Sequence, residues 1–335
     1  MNIEHNPELT SAEMGNLWNF YMANTMSHCI FEHFLTNVED ESIKQLIIES
    51  DTLCVLISNY VENIFKSEGI PLPKGFQPKE DVNKQAPRLF SDTYYLEYLE
   101  MMFRLGVIFY SITLPNTARL DIRNFVTKVI NSSTNISNKI TELMLKKGIY
   151  VRPPYIPTMN SPEIVAKQSF LNGFFGDKRR LLGVEISQLF ANIQFNSVKT
   201  VLLIGFSQVA KSQDLRHYFI RGRECNLKQN AVLGKLLTQE DLPITMPTHY
   251  SISTSTESPF SDKLMLFHLT NLSSAKLRNF GDSIAVSPRH DIGSSFMRLI
   301  METGNYAEDG TNLLIQNGWL EYPPHNVDRY KLAED

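Results

Sequence analysis

Cysteine is scarce, and so is any long apolar run. Cys29, Cys54 and Cys225 give an odd count with no Cys-x-x-Cys pair, which argues against a disulfide framework and for a reducing compartment. No apolar stretch reaches the roughly 18 residues a membrane span requires. The longest, Leu105 to Leu114, is about half that and holds Ser111 and Thr113. The opening MNIEHNPELT lacks a basic region and an apolar core, so no signal peptide is expected. The net charge is −4, and the one dense basic run is Lys178-Arg179-Arg180. That run is too short to track a phosphate backbone, so nucleic acid is not an expected partner and the run reads as a solvated linker. No phosphate-binding glycine loop and no Gly-x-Ser-x-Gly elbow occurs. Gly173-Phe174-Phe175-Gly176 reads as a hinge or docking segment rather than a site.

What the chain does contain is itself, twice. TELMLKKGIYVRPP at 141–154 returns as TNLLIQNGWLEYPP at 311–324, an offset of 170. Phe90-Ser91-Asp92 returns as Phe260-Ser261-Asp262 at the same offset. Earlier in each half the offset is 172: Glu13 pairs with Glu185, Asn24 with Asn196, Phe34 with Phe206 and Pro71 with Pro243. The second copy has lost about two residues in the stretch equivalent to Pro71–Phe90, where a loop tolerates the change. The period is too long for a solenoid, so it marks a duplicated domain. The expected division is 1–157 for the first copy, 158–180 for a linker, 181–328 for the second copy and 329–335 for a tail.

Each copy reads as four helices. Thr10 and Glu13 form a capping box, followed by Met14, Leu17, Tyr21, Phe31 and Leu35 at helical spacing. A second stripe, from Ile43 to Ile64, stops at Gly69 with Pro71 beyond it. Ser91 is a natural cap for the third helix, whose Tyr94–Phe109 aromatics and methionines read as core. The fourth ends at Gly148, where a left-handed residue and the following Pro153-Pro154 stop it. In the second copy, Ser287-Pro288 reads as a cap followed by proline at the first helical position.

Loop length selects the topology. The first and last connections are short, which predicts antiparallel hairpins. The middle connections, Gly69 to Leu89 and Asp241 to Ser258, are much longer. A helix of about 28 residues is roughly 42 Å long, and about twenty extended residues reach roughly 66 Å. The crossover can therefore run the length of the bundle and leave the second and third helices parallel. Short, long, short is the connectivity of ferritin-like bundles. The expected fold is all-α: a tandem duplication of a ferritin-like four-helix bundle with a long helix 2–3 crossover.

The chemistry of that fold is missing. A carboxylate-bridged di-iron site needs two Glu-x-x-His motifs, and none of the eight histidines has a Glu three residues before it. Asp214-x-x-His217 is the near miss, in the first turn of its helix, where an acid is favoured by the helix dipole. A polar layer does cross the first helix at mid-bundle: Asn24, Thr25, His28 and Glu32, with Asn196, Ser197, Thr200 and Ile204 in the second copy. Ser50, Asp51 and Cys54 could face it from the second helix, with Glu224 and Cys225 at similar depth in the second copy and His268 on a third helix. Buried polar groups need partners, so the layer is expected to fix register, with His28 buried, neutral and bonded to Asp51 or Asn24. A single metal or a small ligand are the other uses it could have.

The segments LTSAEMGNLWNFYMANTMS, APRLFSDTYYL, KGIYVRPPYIP, QSFLNGFFGDKR, LLIGFSQVAKS, STESPFSDKLM and AEDGTNLLIQNGWLEYPP resemble uncharacterised ferritin-like proteins of spore-forming bacteria that carry two copies of a domain of unknown function. The resemblance spans about 9–328. It implies a double bundle and a link to sporulation or stress, and it implies no activity. It also implies that Cys54 and Asn230 stand where relatives place a histidine. The expectation is a non-catalytic structural or interaction protein, cytoplasmic and open to spore association, for which a protein partner could exist but neither it nor an oligomeric state is assigned. No catalytic, cofactor-binding or metal residue and no cofactor is assigned. The alternative is a metal-binding redox protein with a degenerate ferritin-like site.

Overall fold

The computed structural model describes residues 7–244 and 252–330, and every regular element among them is helical. The first copy contains α1 (Ser11–Asn37), α2 (Glu41–Ser67), a short α3 (Pro78–Asp81), α4 (Asp92–Thr113) and α5 (Leu120–Lys146). The second contains α6 (Gly183–Val209), α7 (Gln213–Thr238), α8 (Asp262–Ala285) and α9 (His290–Gln316). The predicted four helices per copy are present, and α3 is the addition, a single turn within the first crossover.

Hydrogen bonds at the helix ends establish directions. The Asp92 carboxylate, opening α4, accepts the Asp40 amide that precedes α2 (2.7 Å). At the opposite end Arg119, before α5, pairs with Glu68, after α2. Glu13, at the start of α1, accepts the Arg119 amide there (2.8 Å). The starts of α2 and α4 therefore share one end of the bundle, and these two helices run parallel, with α1 and α5 antiparallel to them. The second copy repeats the pattern: Asp262 accepts the Ser212 amide (2.8 Å) and Arg289 pairs with Glu240 (2.9 Å).

The first crossover lies along its bundle. The Phe76 amide donates to Thr25 Oγ1 at mid-α1 (3.3 Å), and Gly75, at φ +59°, passes so close to Tyr21 that an added Cβ would sit 2.8 Å from the ring. In the second crossover, residues 245–251 lie outside the described residues.

Two crossovers meet at the seam between the copies. Val82 pairs antiparallel with Phe260, and Phe90 with Ile252. Val82 and Ile252 are equivalents at the 170 offset, as are Phe90 and Phe260, so each contact is the image of the other. The Asn83 amide donates to the Pro259 carbonyl (2.9 Å) and the Ser253 amide to the Leu89 carbonyl (3.0 Å), again an exchanged pair. This is the self-complementary arrangement of a two-fold dimer, here within one chain. The main apolar core runs through both copies, from Leu17 and Phe34 to Phe206, Leu264 and Leu314, while a smaller cluster around Leu189, Phe280 and Phe296 closes the far end of copy 2. Helix α6 is long and apolar enough to cross a membrane by length and composition, a run that sequence inspection passed over. Within the fold 83% of that window is buried, as befits a core helix.

Thr10 and Glu13 make the capping box, and Ser91 caps α4 by accepting the Tyr94 amide (3.3 Å). The Ser287-Pro288 expectation fails. Helix α9 starts at His290 with Arg289 as its cap residue, because the Arg289 guanidinium is bound to Asp291 (2.8 Å) and Glu240 and fixes the chain there. The basic run is corrected too. Arg180 is exposed, but Arg179 forks onto the fully buried Glu185 (two bonds of 2.7 Å) and clamps the start of copy 2. In the linker, Phe174 and Phe175 are exposed while Gly173 packs directly on Asp291, where a Cβ would collide.

Gly148 and Gly318 stop their helices at φ +70° and +67°. Neither has a neighbour within 4 Å of an added Cβ, so conformation alone decides. Gly148→Ala should cost about 1 kcal/mol in urea denaturation; an unchanged midpoint would mean that the turn carries no left-handed strain.

Candidate functional site

The two copies solve mid-bundle differently. In copy 1, Asn24 Nδ2 donates to the Phe20 carbonyl (2.7 Å) and to Tyr110 Oη (3.2 Å), joining α1 to α4. Cys54 is buried on α2, and burial pushes its thiol well above the ordinary range. Ser133 on α5 is 1% exposed, and its hydroxyl has no partner. These groups, with Ser27, Phe31, Phe103 and Gly106, line a cavity of about 340 Å³. Helix α8 of the other copy completes its wall with His268, Asn271 and Arg278. Tyr98 and His268, equivalents at the 170 offset, bond to each other across the seam (Oη to Nε2, 3.0 Å). Burial lowers the His268 imidazole to about 3, so it is neutral.

Copy 2 places two buried lysines at its centre. Its equivalents of Ser27 and Gly106 are Lys199 and Lys276, 1% and 2% exposed. The Lys199 amine donates to Ser273 Oγ (2.8 Å), and the Lys276 amine to Asn226 Oδ1 (2.7 Å). Ser273 stands in place of Phe103 and gives Lys199 room and an acceptor, and Asn226 stands in place of Cys54 and gives Lys276 an acceptor. Burial pushes Lys199 down to about 7 and Lys276 well below its ordinary value. Gln229 donates to Thr303 (3.1 Å), and Asn226 Nδ2 reaches the Asn196 carbonyl (3.4 Å).

The polar residues singled out in α1 scatter. Asn24 and Asn196 face the core as expected. Thr25 is buried but turns to the crossover, where Phe76 bonds it. His28 does bond Asp51 (2.6 Å), but it is not deeply buried: its side chain is 25% exposed, on the flank of the α1–α2 pair. The Asp51 hydrogen bond raises its pKa, the opposite direction from that expected of a buried neutral imidazole. Glu32 stands beside it and pairs with Lys84 of the crossover (2.5 Å). His28, Glu32 and Asp51 each offer one atom within 4.8 Å of the others. Ser50 is fully buried and satisfied by the Leu46 carbonyl (2.7 Å). Ser197 and Thr200 are buried, bonding back to the Ile193 and Asn196 carbonyls, whereas Ile204 is half-buried. Glu224 is exposed and Cys225 only half-buried, so neither belongs to the layer at the depth expected. Asp214 and His217 both face solvent.

The buried lysines were missed by sequence reasoning. The signal was available: Lys199 lies between Phe195 and Leu203, and Lys276 between Leu272 and Phe280, at helical spacing. Each is a charge written on an apolar stripe.

This is an all-helical protein made of two copies of one bundle around a shared seam. The family described as "Protein of unknown function (DUF3231)" matches residues 1–161 and again 169–332, once per copy, and the chain belongs to that family. A comparison with curated proteins gives no match. Among solved structures, the chain is similar to a candidate spore coat protein from Bacillus halodurans C-125, at 19% identity and a TM-score of 0.42, over 45% of this chain and 98% of that one.

Proposed function

We propose that the chain is a non-catalytic structural or interaction protein, built as a fused pair of ferritin-like bundles, and spore-associated. One observation carries the non-catalytic part. At the depth where a ferritin-like bundle would gather carboxylates around cations, copy 2 buries the amines of Lys199 and Lys276, and copy 1 presents Asn24, Cys54 and Ser133. Lysine amines exclude a cation by charge when protonated and by volume when neutral. The parallel α2 and α4 support the ferritin-like assignment, and the spore association comes from the family resemblance. Full-length protein purified without chelator should carry far less than one equivalent of iron or manganese. In sporulating cells it should fractionate with the spore, and recovery only from vegetative extract would remove that part of the reading.

The second reading, a degenerate metal-binding redox site, is favoured by His28, Glu32 and Asp51. A cation there would have to displace Lys84 from Glu32 and the proton shared by His28 and Asp51. His28→Leu should therefore leave metal content unchanged. Near-stoichiometric iron or manganese in the wild type, lost in His28→Leu, would replace the first reading by the second.

A further inference from the structure

The cavity in copy 1 has a mouth and a floor. Asn19, Asn271 and Ser274 at the mouth are exposed, and Arg278 is half-buried beside them. Ser133 and His268 on the floor are 1% and 0% exposed. The wall between is largely apolar, including Phe31, Leu53, Phe103 and Phe109.

Two polar atoms on that floor lack partners: Ser133 Oγ and His268 Nδ1. His268 Nε2 is engaged with the Tyr98 hydroxyl, and Nδ1 is the ring nitrogen left over. Among the described residues, no Asp or Glu lines the cavity, and Arg278 is its one charged group. Arg278 leans on the Phe109 ring at 5.9 Å and has no carboxylate partner among the described residues.

Copy 2 is the internal control. It descends from the same bundle, yet at the positions of Ser27 and Gly106 it carries two long side chains that occupy the interior and satisfy their own polar ends. At the position of Ala23 it has the larger Phe195. One copy fills this volume covalently. The other keeps it open, with an apolar wall and, at the entrance, the Arg278 guanidinium, which has no carboxylate partner among the described residues.

We propose that the copy-1 cavity binds a small amphipathic monocarboxylic acid, its carboxylate held by Arg278 at the mouth and its apolar body lying along Phe31, Leu53 and Phe103. Cations are disfavoured, because the site offers one positive charge and no negative one. This goes beyond the structural role proposed above and needs no metal.

Octanoate is the probe, titrated into the full chain by calorimetry beside octylamine and octan-1-ol. Saturable binding of one octanoate per chain is expected, at least tenfold tighter than octylamine. Arg278→Gln should weaken octanoate about tenfold or more, the loss of one charge-assisted hydrogen bond. Gly106→Leu should abolish binding, since an added Cβ there meets only Tyr110, at 3.5 Å, and the branched side chain grows into the cavity. Thermal melts show whether Gly106→Leu remains folded; if it does not, Arg278→Gln, on the half-buried rim, decides alone. Absence of saturable octanoate binding, equal binding of octylamine, or octanoate affinity unmoved by Arg278→Gln would each overturn the proposal.

Discussion

Gly222→Ala and Gly310→Ala should each destabilise the protein by about 2–4 kcal/mol, although alanine is the better helix former at both positions. The reason is a reciprocal lock between α7 and α9. Tyr218 and Tyr306 stack face to face, with centroids 4.3 Å apart and an interplanar angle of 2°. The Tyr218 hydroxyl donates to the Tyr306 carbonyl (3.1 Å), and the Tyr306 hydroxyl to the Tyr218 carbonyl (3.2 Å). Each carbonyl also serves its own helix, whose next turn places Gly222 above Tyr218 and Gly310 above Tyr306. Only a residue without a side chain lets a phenol reach in. A Cβ on Gly222 would lie inside the Tyr306 hydroxyl and 2.9 Å from Leu203. One on Gly310 would lie inside the Tyr218 hydroxyl and 2.7 Å from Thr270. Overpacking of this kind costs about 1–3 kcal/mol, and each lost hydrogen bond about 1 kcal/mol more. Gly106→Ala is the control: it should be neutral or stabilising by up to about 1 kcal/mol in its helix. Urea denaturation of the three variants checks the set, and a Gly222→Ala midpoint equal to that of Gly106→Ala would show that the lock carries no stability.

Neither the tyrosine lock nor the lysine pair has a counterpart in copy 1, where Leu46, Ser50, Ile136 and Ile140 stand in place of Tyr218, Gly222, Tyr306 and Gly310. This shows where sequence reading succeeds and where it ends. Repetition, caps and stops are local signals. Thr10, Ser91, Gly148 and Gly318 could be placed because each acts through its own backbone neighbours. Crossover length plus helix length was enough to predict parallel α2 and α4, because chain reach is polymer geometry. Ser287-Pro288 misled because the start of α9 is set by Arg289 reaching Glu240, forty-nine residues earlier in the chain. Arg179 looked solvated because its partner, Glu185, is buried by groups the local sequence does not show. His28 was assigned to the core from a stripe of sevens, yet a helix packed between α2 and a crossover has two buried faces, and His28 lies on the boundary of one. The cavity could not be read at all. It depends on α8 of one copy closing the bundle of the other, and on five positions that differ between the copies.

Lys199→Met should raise stability at pH 7 by a few kcal/mol and flatten its rise with pH. The ordinary lysine pKa of 10.5 applies to the unfolded chain, while burial holds folded Lys199 near 7. Below about 7 both states are protonated, and the folded state bears the full cost of a buried ammonium. Between about 7 and 10.5 the unfolded chain binds the extra proton, so stability increases with pH, by up to about 1.4 kcal/mol per unit for one site. Lys276 is lowered further, by burial and by the neighbouring Lys199, and adds a rise of the same sign. Other groups limit the useful window. Cys29 and Cys54 are raised by burial, so they withdraw stability once the unfolded thiols ionise above about pH 8.5. His28, raised by Asp51, contributes stability at low pH that is lost as pH climbs through its folded value. The measurement is therefore the difference between wild type and Lys199→Met in urea, at pH 7.0 and 8.5, where His28 and the thiols cancel. Lys199 is the cleaner choice of the two. Ser273 keeps its bond to the Leu269 carbonyl (2.8 Å) when the amine is gone, whereas Lys276→Met would leave Asn226 Oδ1 without its donor. The gap between wild type and variant should narrow by about 1–2 kcal/mol over that interval. A gap independent of pH would mean that the Lys199 amine remains charged inside the bundle, and the packing that isolates it would have to admit water.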